Sequence, residues 1–303
     1  MEYDAIIVGS GPGGLTAALY CARGGKKTLV LGGESLGGVM STIHSLENYP
    51  GTPAINGYEL AVIMRDQAIA FGAKVIMESA IEIAPINGGG GPMGGYSVKT
   101  ENGEYNGRVV ILATGTKPRK LEATGVKEFT GRGVSYCATC DGFFYTDKDV
   151  IVVGGGNSAL NDALYLANMA RSVTILHYRD KFSGVEQVLL ERAQKTENIK
   201  FLFHTEIEEI LGDDTGVNAV MLKSGYKMNI DGVFIAIGLA ANTDYLNDEI
   251  KRDEKGRLAP TALPTGMFVC GDITSGIKMQ VATAVGTGCE AAMDAIAYLN
   301  KNS

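Results

Sequence analysis

Two stretches of this chain lie over one another without a gap: "AIIVGSGPGGLTAALYCARGGKKTLVL" at residues 5–31 and "VIVVGGGNSALNDALYLANMARSVTIL" at residues 150–176. Gly9 falls on Gly154, Gly11 on Gly156 and Gly14 on Ala159, and Ala18-Leu19-Tyr20 falls on Ala163-Leu164-Tyr165. Each copy reads as an apolar strand, a glycine turn, a helix and a second apolar strand, the opening βαβ unit of a dinucleotide-binding fold. The spacing carries chemistry. The first glycine permits the tight turn, the second lets backbone approach a pyrophosphate, and the third small residue lets the helix pack on the strand. The anion then rests on the free N–H groups and positive end of the helix.

The halves also close alike, with the apolar strands "VVILATGT" (residues 109–116) and "GVFIAIGL" (residues 232–239). Between opening and close lie alternating runs, "YSVKTENGEY" and "VNAVMLKSGYKMNI", that read as antiparallel hairpins. The glycine-rich segment at residues 87–95 has no helix after it, so it reads as a hairpin tip and not as a phosphate loop. After Leu239 there is no third repeat. "TGMFVCGDITSG" gives one more strand, and "KMQVATAVGTGCEAAMDAIAYL" gives a helix by its spacing of small and apolar residues. Such a tail cannot fold alone, so it is assigned to the first domain. The expected fold is α/β: two Rossmann-like, three-layer dinucleotide-binding domains, the second inserted in the first. The expected boundaries are 1–115 with 241–303, and 116–240.

A length of 303 residues allows two cores. The 41 glycines far exceed the usual ~7% with no collagen-like period, as two glycine turns and many close backbone approaches require. A net charge of −7 argues against nucleic acid as a partner. The longest nearly apolar stretch, residues 232–241, is far below the ~20 residues a bilayer span needs. The first residues, "MEYDAIIVGS", enter a strand pattern with no basic or apolar leader, so the expected location is the cytoplasm.

Within "SYCATCDGFF", Cys137 and Cys140 stand two residues apart with Asp141 directly after. A thiol pair at that spacing binds metal, closes a disulfide, or cycles between redox states. A structural zinc site takes about four ligands. Cys21, Cys270 and Cys289 are scattered among apolar segments, and His44, His177 and His204 show no ligand spacing, so no metal is expected. A CxxC beside βαβ units reads as a redox pair. The three remaining cysteines read as small core hydrophobes.

Taken together, "GSGPGG", "ATGTKP", "CATCDG", "GGGNSA", "TGMFVCGD" and "MQVATAVGTGC" follow the order and approximate spacing of the low-molecular-weight thioredoxin reductases, which the chain resembles over essentially its whole length. The resemblance implies a homodimeric flavoprotein that passes two electrons from a donor through FAD and a Cys137–Cys140 disulfide to thioredoxin. It implies FAD on Gly9, Gly11 and Gly14, with Thr114 and Gly115 at the strand end. It puts Asp272 at the ribityl or phosphate region, Gln280, Val281 and Ala282 at the flavin edge, Glu34 at the adenosine end and Asn48 on the flavin side. Gly154, Gly156 and Ala159, with His177 and Arg179, would hold NADPH or NADH. Cys140 would be the flavin-facing thiol, Cys137 the one that attacks the partner disulfide, and Asp141 the proton donor. The family rotates its inserted domain between half-reactions, with joints expected here near residues 116–119 and 239–243.

One stretch departs from the pattern. Where the family has His-Arg-Arg, three residues, then Arg to hold the 2′-phosphate of NADPH, this chain reads "HYRDKFS". Arg179 remains, but Tyr178 and Ser183 take the other two arginine places, and no acid follows the strand to bond a ribose 2′-hydroxyl as in NAD-specific units. Reduced ferredoxin or a deazaflavin therefore stand beside the nicotinamides as donors. A dithiol oxidase using oxygen and a non-enzymatic FAD/CxxC redox sensor are the rival functions on the same scaffold.

Overall fold

The computed structural model describes residues 2–86 and 94–302, and the apolar runs that open each repeat become parallel strands in it. The first repeat forms β1 (Tyr3–Val8), α1 (Pro12–Arg23) and β2 (Thr28–Leu31), followed by α2 (Gly57–Ala70), β3 (Lys74–Ile76), β4 (Glu82–Ile86), β5 (Gly95–Lys99) and β6 (Glu104–Leu112). The chain leaves through β7 (Thr116–Pro118) and makes α3 (Val126–Phe129), β8 (Val134–Ser135) and α4 (Ala138–Asp141). The second repeat is β9 (Asp149–Val153), α5 (Asn157–Leu166) and β10 (Ser172–Leu176). Next come α6 (Gln187–Lys195), β11 (Ile199–Leu202), β12 (Ile207–Asp213), β13 (Gly216–Leu222), β14 (Lys227–Asn229) and β15 (Gly232–Ile235). The chain returns through β16 (Leu239–Ala241), which pairs with β7, to β17 (Met267–Val269) and α7 (Val281–Lys301). Two compact units result: Met1–Lys117 with Ala240–Ser303, and Pro118–Leu239.

Among the described residues, the first unit is built on a seven-stranded sheet in the order β3-β2-β1-β6-β5-β4, with β17 also paired to β6. The strands β1, β2, β3, β6 and β17 run parallel, and β4, β5 and β6 form the antiparallel extension. Successive side chains of β1 point to opposite faces. Ala5 and Ile7 join Ala17, Ala292 and Ala295 from α1 and α7, while Ile6 and Val8 join Leu246, Leu258 and Ile273 on the other side. Both faces are covered, which is why β1 reads as a continuous apolar run. The glycine-rich segment read as a hairpin tip lies, at residues 87–93, outside the described residues; its flanks pair with Ile86 opposite Gly95.

The second unit repeats the plan. Its described parallel sheet runs β11-β10-β9-β15-β8. Val150, Val152 and Ile175 face α5, and Ile151, Val153 and Val233 face Ile207 and Val220 of the antiparallel β12-β13-β14 sheet. The fold is therefore α/β with two Rossmann-like domains, each of three layers, the second inserted in the first.

Glycine content is explained by approach distances. Gly9 and Gly154 carry positive φ (116° and 157°), and a Cβ on either would lie 2.2 Å from the carbonyl oxygen of the residue just past a strand end, Ala113 after β6 and Ala236 after β15 respectively. At Gly14 a Cβ would lie 2.0 Å from the Gly9 carbonyl oxygen, whereas the matching residue of the second repeat, Ala159, has a Cβ, so α1 sits closer to its turn than α5 does. Helix α7 presses on α1 as closely, for a Cβ on Gly288 would stand 2.2 Å from the Gly13 carbonyl oxygen. Cys21 and Cys270 are fully buried in the helix-side core. Cys289 is a correction to the core reading: it is half-buried on α7, with its sulfur 3.8 Å from the Met293 sulfur.

One half-buried acid sets a pH dependence. Burial pushes the Asp162 carboxyl on α5 up to about 7, from an ordinary ~3.9. Between those values the native chain holds a proton that the unfolded chain has released, so stability falls as pH rises from about 4 to about 7. Asp162→Asn is expected to change stability little at pH 4 and to raise it by roughly 1–2 kcal/mol at pH 8, less than the full conversion of ~1.4 kcal/mol per pH unit because the side chain keeps some solvent access. Urea unfolding at the two pH values checks this, and an equal effect at both would contradict it.

Candidate active site

Residues 134–145 place the thiol pair. Val134 and Ser135 form the edge strand β8, paired in parallel to Val233 and Phe234 of β15. The chain then turns into the single helical turn α4, with Cys137 as its N-terminal cap residue. Cys137 and Cys140 are joined by a disulfide, with Cα atoms 5.3 Å apart. The Cys140 N–H donates to the Cys137 sulfur at 3.2 Å, and the Thr139 hydroxyl lies 3.4 Å from the same sulfur. Donors on a sulfur favour its thiolate. Cys137 is half-buried and Cys140 is exposed.

Asp141 ends α4 and is half-buried. Its Oδ2 accepts a 2.6 Å hydrogen bond from the Ser135 hydroxyl. The Ser135 oxygen in turn accepts the Cys137 N–H at 3.0 Å and lies 3.3 Å from the Cys137 carbonyl. Directly after come two aromatic rings in solvent, Phe143 at 79% and Phe144 at 69% exposure, packed edge to face with centroids 6.4 Å apart. Burial, and the charges of Asp141 and Asp231, raise the Tyr145 hydroxyl above its ordinary range. Sequence reasoning found the cysteines and Asp141 but not Ser135, Phe143 or Phe144. A lone serine has no spacing to betray it, and aromatics read as core until exposure is known.

The first unit assembles the residues assigned to FAD. Gly9 and Gly11 form the turn into α1, whose N-terminus no side chain among the described residues caps and whose first turn carries no acid. A Cβ on Gly11 would meet nothing closer than 3.9 Å, so the turn is open on that side. Uncapped N–H groups beside open space suit a pyrophosphate. Glu34 follows β2, is exposed, and lines a cavity of about 590 Å³ together with Tyr58, Arg65 and Met77. Thr114 and Gly115 follow β6, where the Thr114 hydroxyl donates to the Asn242 carbonyl at 2.6 Å. Asp272 stands in a short turn after β17, half-buried, with burial raising its carboxyl to about 6. The Thr287 hydroxyl of α7 accepts the neighbouring Gly271 N–H at 3.0 Å. Gln280 stands just before α7, ahead of Val281 and Ala282; its side chain makes no capping hydrogen bond and instead accepts from the Asn48 amide at 3.2 Å.

The second unit offers an equivalent turn. Gly154 and Gly156 lead into α5, again with no described side-chain cap, and a Cβ on Gly156 would meet nothing within 4 Å. Asn157, the first residue of α5, instead braces the next helix: it exchanges hydrogen bonds with the Glu186 N–H (2.8 Å) and carboxylate (3.2 Å). His177 follows β10 but faces inward. It is 6% exposed and stacked on Phe182 (5.5 Å, interplanar angle 2°), with Phe203 and Tyr178 at its edges. Its ring lies against Gly155, where a Cβ would fall 2.1 Å from the imidazole. Neither ring nitrogen has a hydrogen-bond partner among the described residues. Burial lowers the ring's pKa, so it is neutral at pH 7. Arg179 is exposed, its guanidinium 5.1 Å from the Tyr178 ring centre, and Ser183 is exposed beyond it. The aromatic cluster of Phe182, Phe201 and Phe203 was not read from the sequence, because β11 and the loop before α6 carry no shared period.

Residues 3–288 match the family described as pyridine nucleotide-disulphide oxidoreductase. The chain is 42% identical to the thioredoxin reductase of Mycolicibacterium smegmatis over 310 residues, covering 98% of this chain and 96% of that one. In structure it is similar to the thioredoxin reductase of Lactococcus lactis, with a TM-score of 0.92, 36% identity and 99% of both chains covered. It is likewise similar to that of T. acidophilum, with a TM-score of 0.88, 34% identity, and 97% and 98% covered. Among the described residues no helix is long and apolar enough to cross a membrane.

Proposed function

The chain belongs to the pyridine nucleotide-disulphide oxidoreductase family, and from that premise we infer that it is a flavin-dependent thioredoxin-disulfide reductase working with FAD and a pyridine nucleotide. The observation that carries this is the Cys137–Cys140 disulfide followed by Asp141, set in a chain similar from end to end to thioredoxin reductases. The discontinuous unit would hold FAD, on Gly9, Gly11, Gly14, Thr114, Gly115 and Asp272, with Glu34, Asn48, Gln280, Val281 and Ala282 around it. The inserted unit would hold the nucleotide on Gly154, Gly156 and Ala159, with His177 and Arg179 beyond. When bound, the flavin supplies the two-electron chemistry that opens the disulfide.

The chain's own residues do the rest. With the disulfide reduced, the Cys137 thiolate, favoured by the Cys140 N–H, attacks one sulfur of oxidised thioredoxin. The partner's S–S bond breaks, a mixed disulfide forms, and the departing sulfur takes a proton, for which Asp141 is the donor. Cys140, still a thiol, gives its proton to the Asp141 carboxylate and attacks the Cys137 sulfur; the Cys137–Cys140 bond re-forms, the second thioredoxin sulfur departs and takes that proton, and thioredoxin leaves as the dithiol. One thiolate and one thiol are oxidised and one partner disulfide is reduced, so electrons and protons balance. Phe143 and Phe144, apolar and in solvent beside the dithiol, fit the face on which a protein partner docks. The protein is proposed to be a cytoplasmic homodimer. Tyr178 and Ser183, in place of two arginines, favour a donor other than NADPH alone.

The purified chain is expected to be yellow and to release FAD on heating, identified by chromatography. Release of FMN, or a colourless protein that FAD does not reconstitute, would overturn the assignment.

A further inference from the structure

We propose that Ser135 is a positioning residue that acts through Asp141, fixing which carboxylate oxygen exchanges the proton during dithiol exchange. This rests on the reading of Asp141 as the proton donor. Ser135 is 4% exposed and sits on β8, so its backbone is held by the ladder to β15. Its hydroxyl has one proton and gives it to Asp141 Oδ2 at 2.6 Å, against 3.3 Å for the alternative acceptor, the Cys137 carbonyl. Its oxygen simultaneously accepts the Cys137 N–H at 3.0 Å. One side chain thus ties the backbone of the attacking cysteine to the carboxylate four residues on. With Oδ2 occupied, Oδ1 is the oxygen left to carry a proton toward a departing sulfur, and rotation about the carboxylate bond is stopped.

The contact is more than packing, since alanine would fill most of the same space. Without the hydroxyl, the carboxylate is free to turn and the Cys137 N–H loses its acceptor inside the fold. The expected loss is about tenfold in the rate of thioredoxin reduction, the scale of one hydrogen bond to a charged group. The step in which the donor reduces the bound cofactor does not involve Asp141 and stays unchanged.

The test is a double-mutant cycle on the FAD-loaded protein, with thioredoxin as substrate. Ser135→Ala is expected to lower kcat about tenfold with KM for thioredoxin unchanged, and Ser135→Thr to restore most of it. Asp141→Asn is expected to lower kcat further, and Ser135→Ala added to it to cost less than twofold more. FAD content and donor-driven cofactor reduction, measured on every variant, report folding independently. Full additivity of the two substitutions, or a fall in donor-driven reduction with Ser135→Ala, would overturn the positioning role while leaving Asp141 as donor. An Asp141→Asn variant with unchanged kcat would overturn both, and is the outcome that separates failure of the underlying reading from failure of this one.

Discussion

Cys137→Ser and Cys140→Ser each bring thioredoxin reduction to background, a fall of at least ~10³-fold, because each removes a group that forms a covalent bond in the cycle. FAD stays bound in both, since no residue of the first unit is touched. The two variants then part. Cys140→Ser keeps the sulfur that the Cys140 N–H and the Thr139 hydroxyl face, and attack on thioredoxin proceeds to a mixed disulfide that no second thiol can resolve. A covalent adduct should therefore accumulate with Cys140→Ser, visible as a shifted band without reductant. Cys137→Ser should give none. An adduct with Cys137→Ser alone would reverse the roles and make exposure, which favours Cys140, the deciding factor over the hydrogen bond to Cys137.

The second large effect concerns the donor. A hydrogen bond to a charged group contributes ~1.5–3 kcal/mol, so two missing arginines cost at most ~3–6 kcal/mol. The phosphate they would hold lies at an exposed edge, where charge pairs are often worth ~0–1 kcal/mol. A loss near ~2–3 kcal/mol is expected, or ~30–150-fold in affinity for the 2′-phosphate. The structure sharpens this. Arg179 is the one guanidinium left at the three expected places, exposed and 5.1 Å from the Tyr178 ring centre, and His177 is buried with its pKa lowered, so it adds little charge to the site. Lys181, exposed nearby, offers a point charge without the arginine fork. In anaerobic stopped-flow reduction of the bound flavin, NADPH is thus expected to hold no strong advantage over NADH. Tyr178→Arg with Ser183→Arg is expected to raise the efficiency of NADPH ~30–150-fold and leave NADH nearly unchanged. Fast reduction of the natural chain by micromolar NADPH, with NADH a hundredfold less efficient, would sink this expectation.

The architecture was legible because its constraints are local and repeated. A buried parallel strand announces itself as "AIIV" or "VIVV", and the turn after it needs glycine where the backbone meets the next strand, at Gly9 and at Gly154. The antiparallel hairpins were readable for the same reason, from alternation over a few residues. What stayed hidden depends on contacts far apart in sequence. Nothing near Gly288 shows that its neighbour is the Gly13 backbone, and nothing near His177 shows that Phe203, from beyond β11, packs against its ring beside Phe182. The thiol pair was legible from its spacing and its acid. Ser135 was not, since the value of a hydroxyl lies in the atoms it meets, and those are fixed only when β8 pairs with β15 and α4 turns back over it.

Electrons are expected to reach thioredoxin only through the Cys137–Cys140 pair. The most direct measurement reduces the FAD-loaded protein by two electrons under anaerobic conditions, then mixes it with excess oxidised thioredoxin while following flavin absorbance and thioredoxin thiols. The oxidised flavin band is expected to return and two thioredoxin thiols to appear per protein chain, and a Cys137→Ser, Cys140→Ser double variant is expected to do neither. Equal thiol production by the double variant, or a flavin that stays reduced in the natural chain, would contradict it.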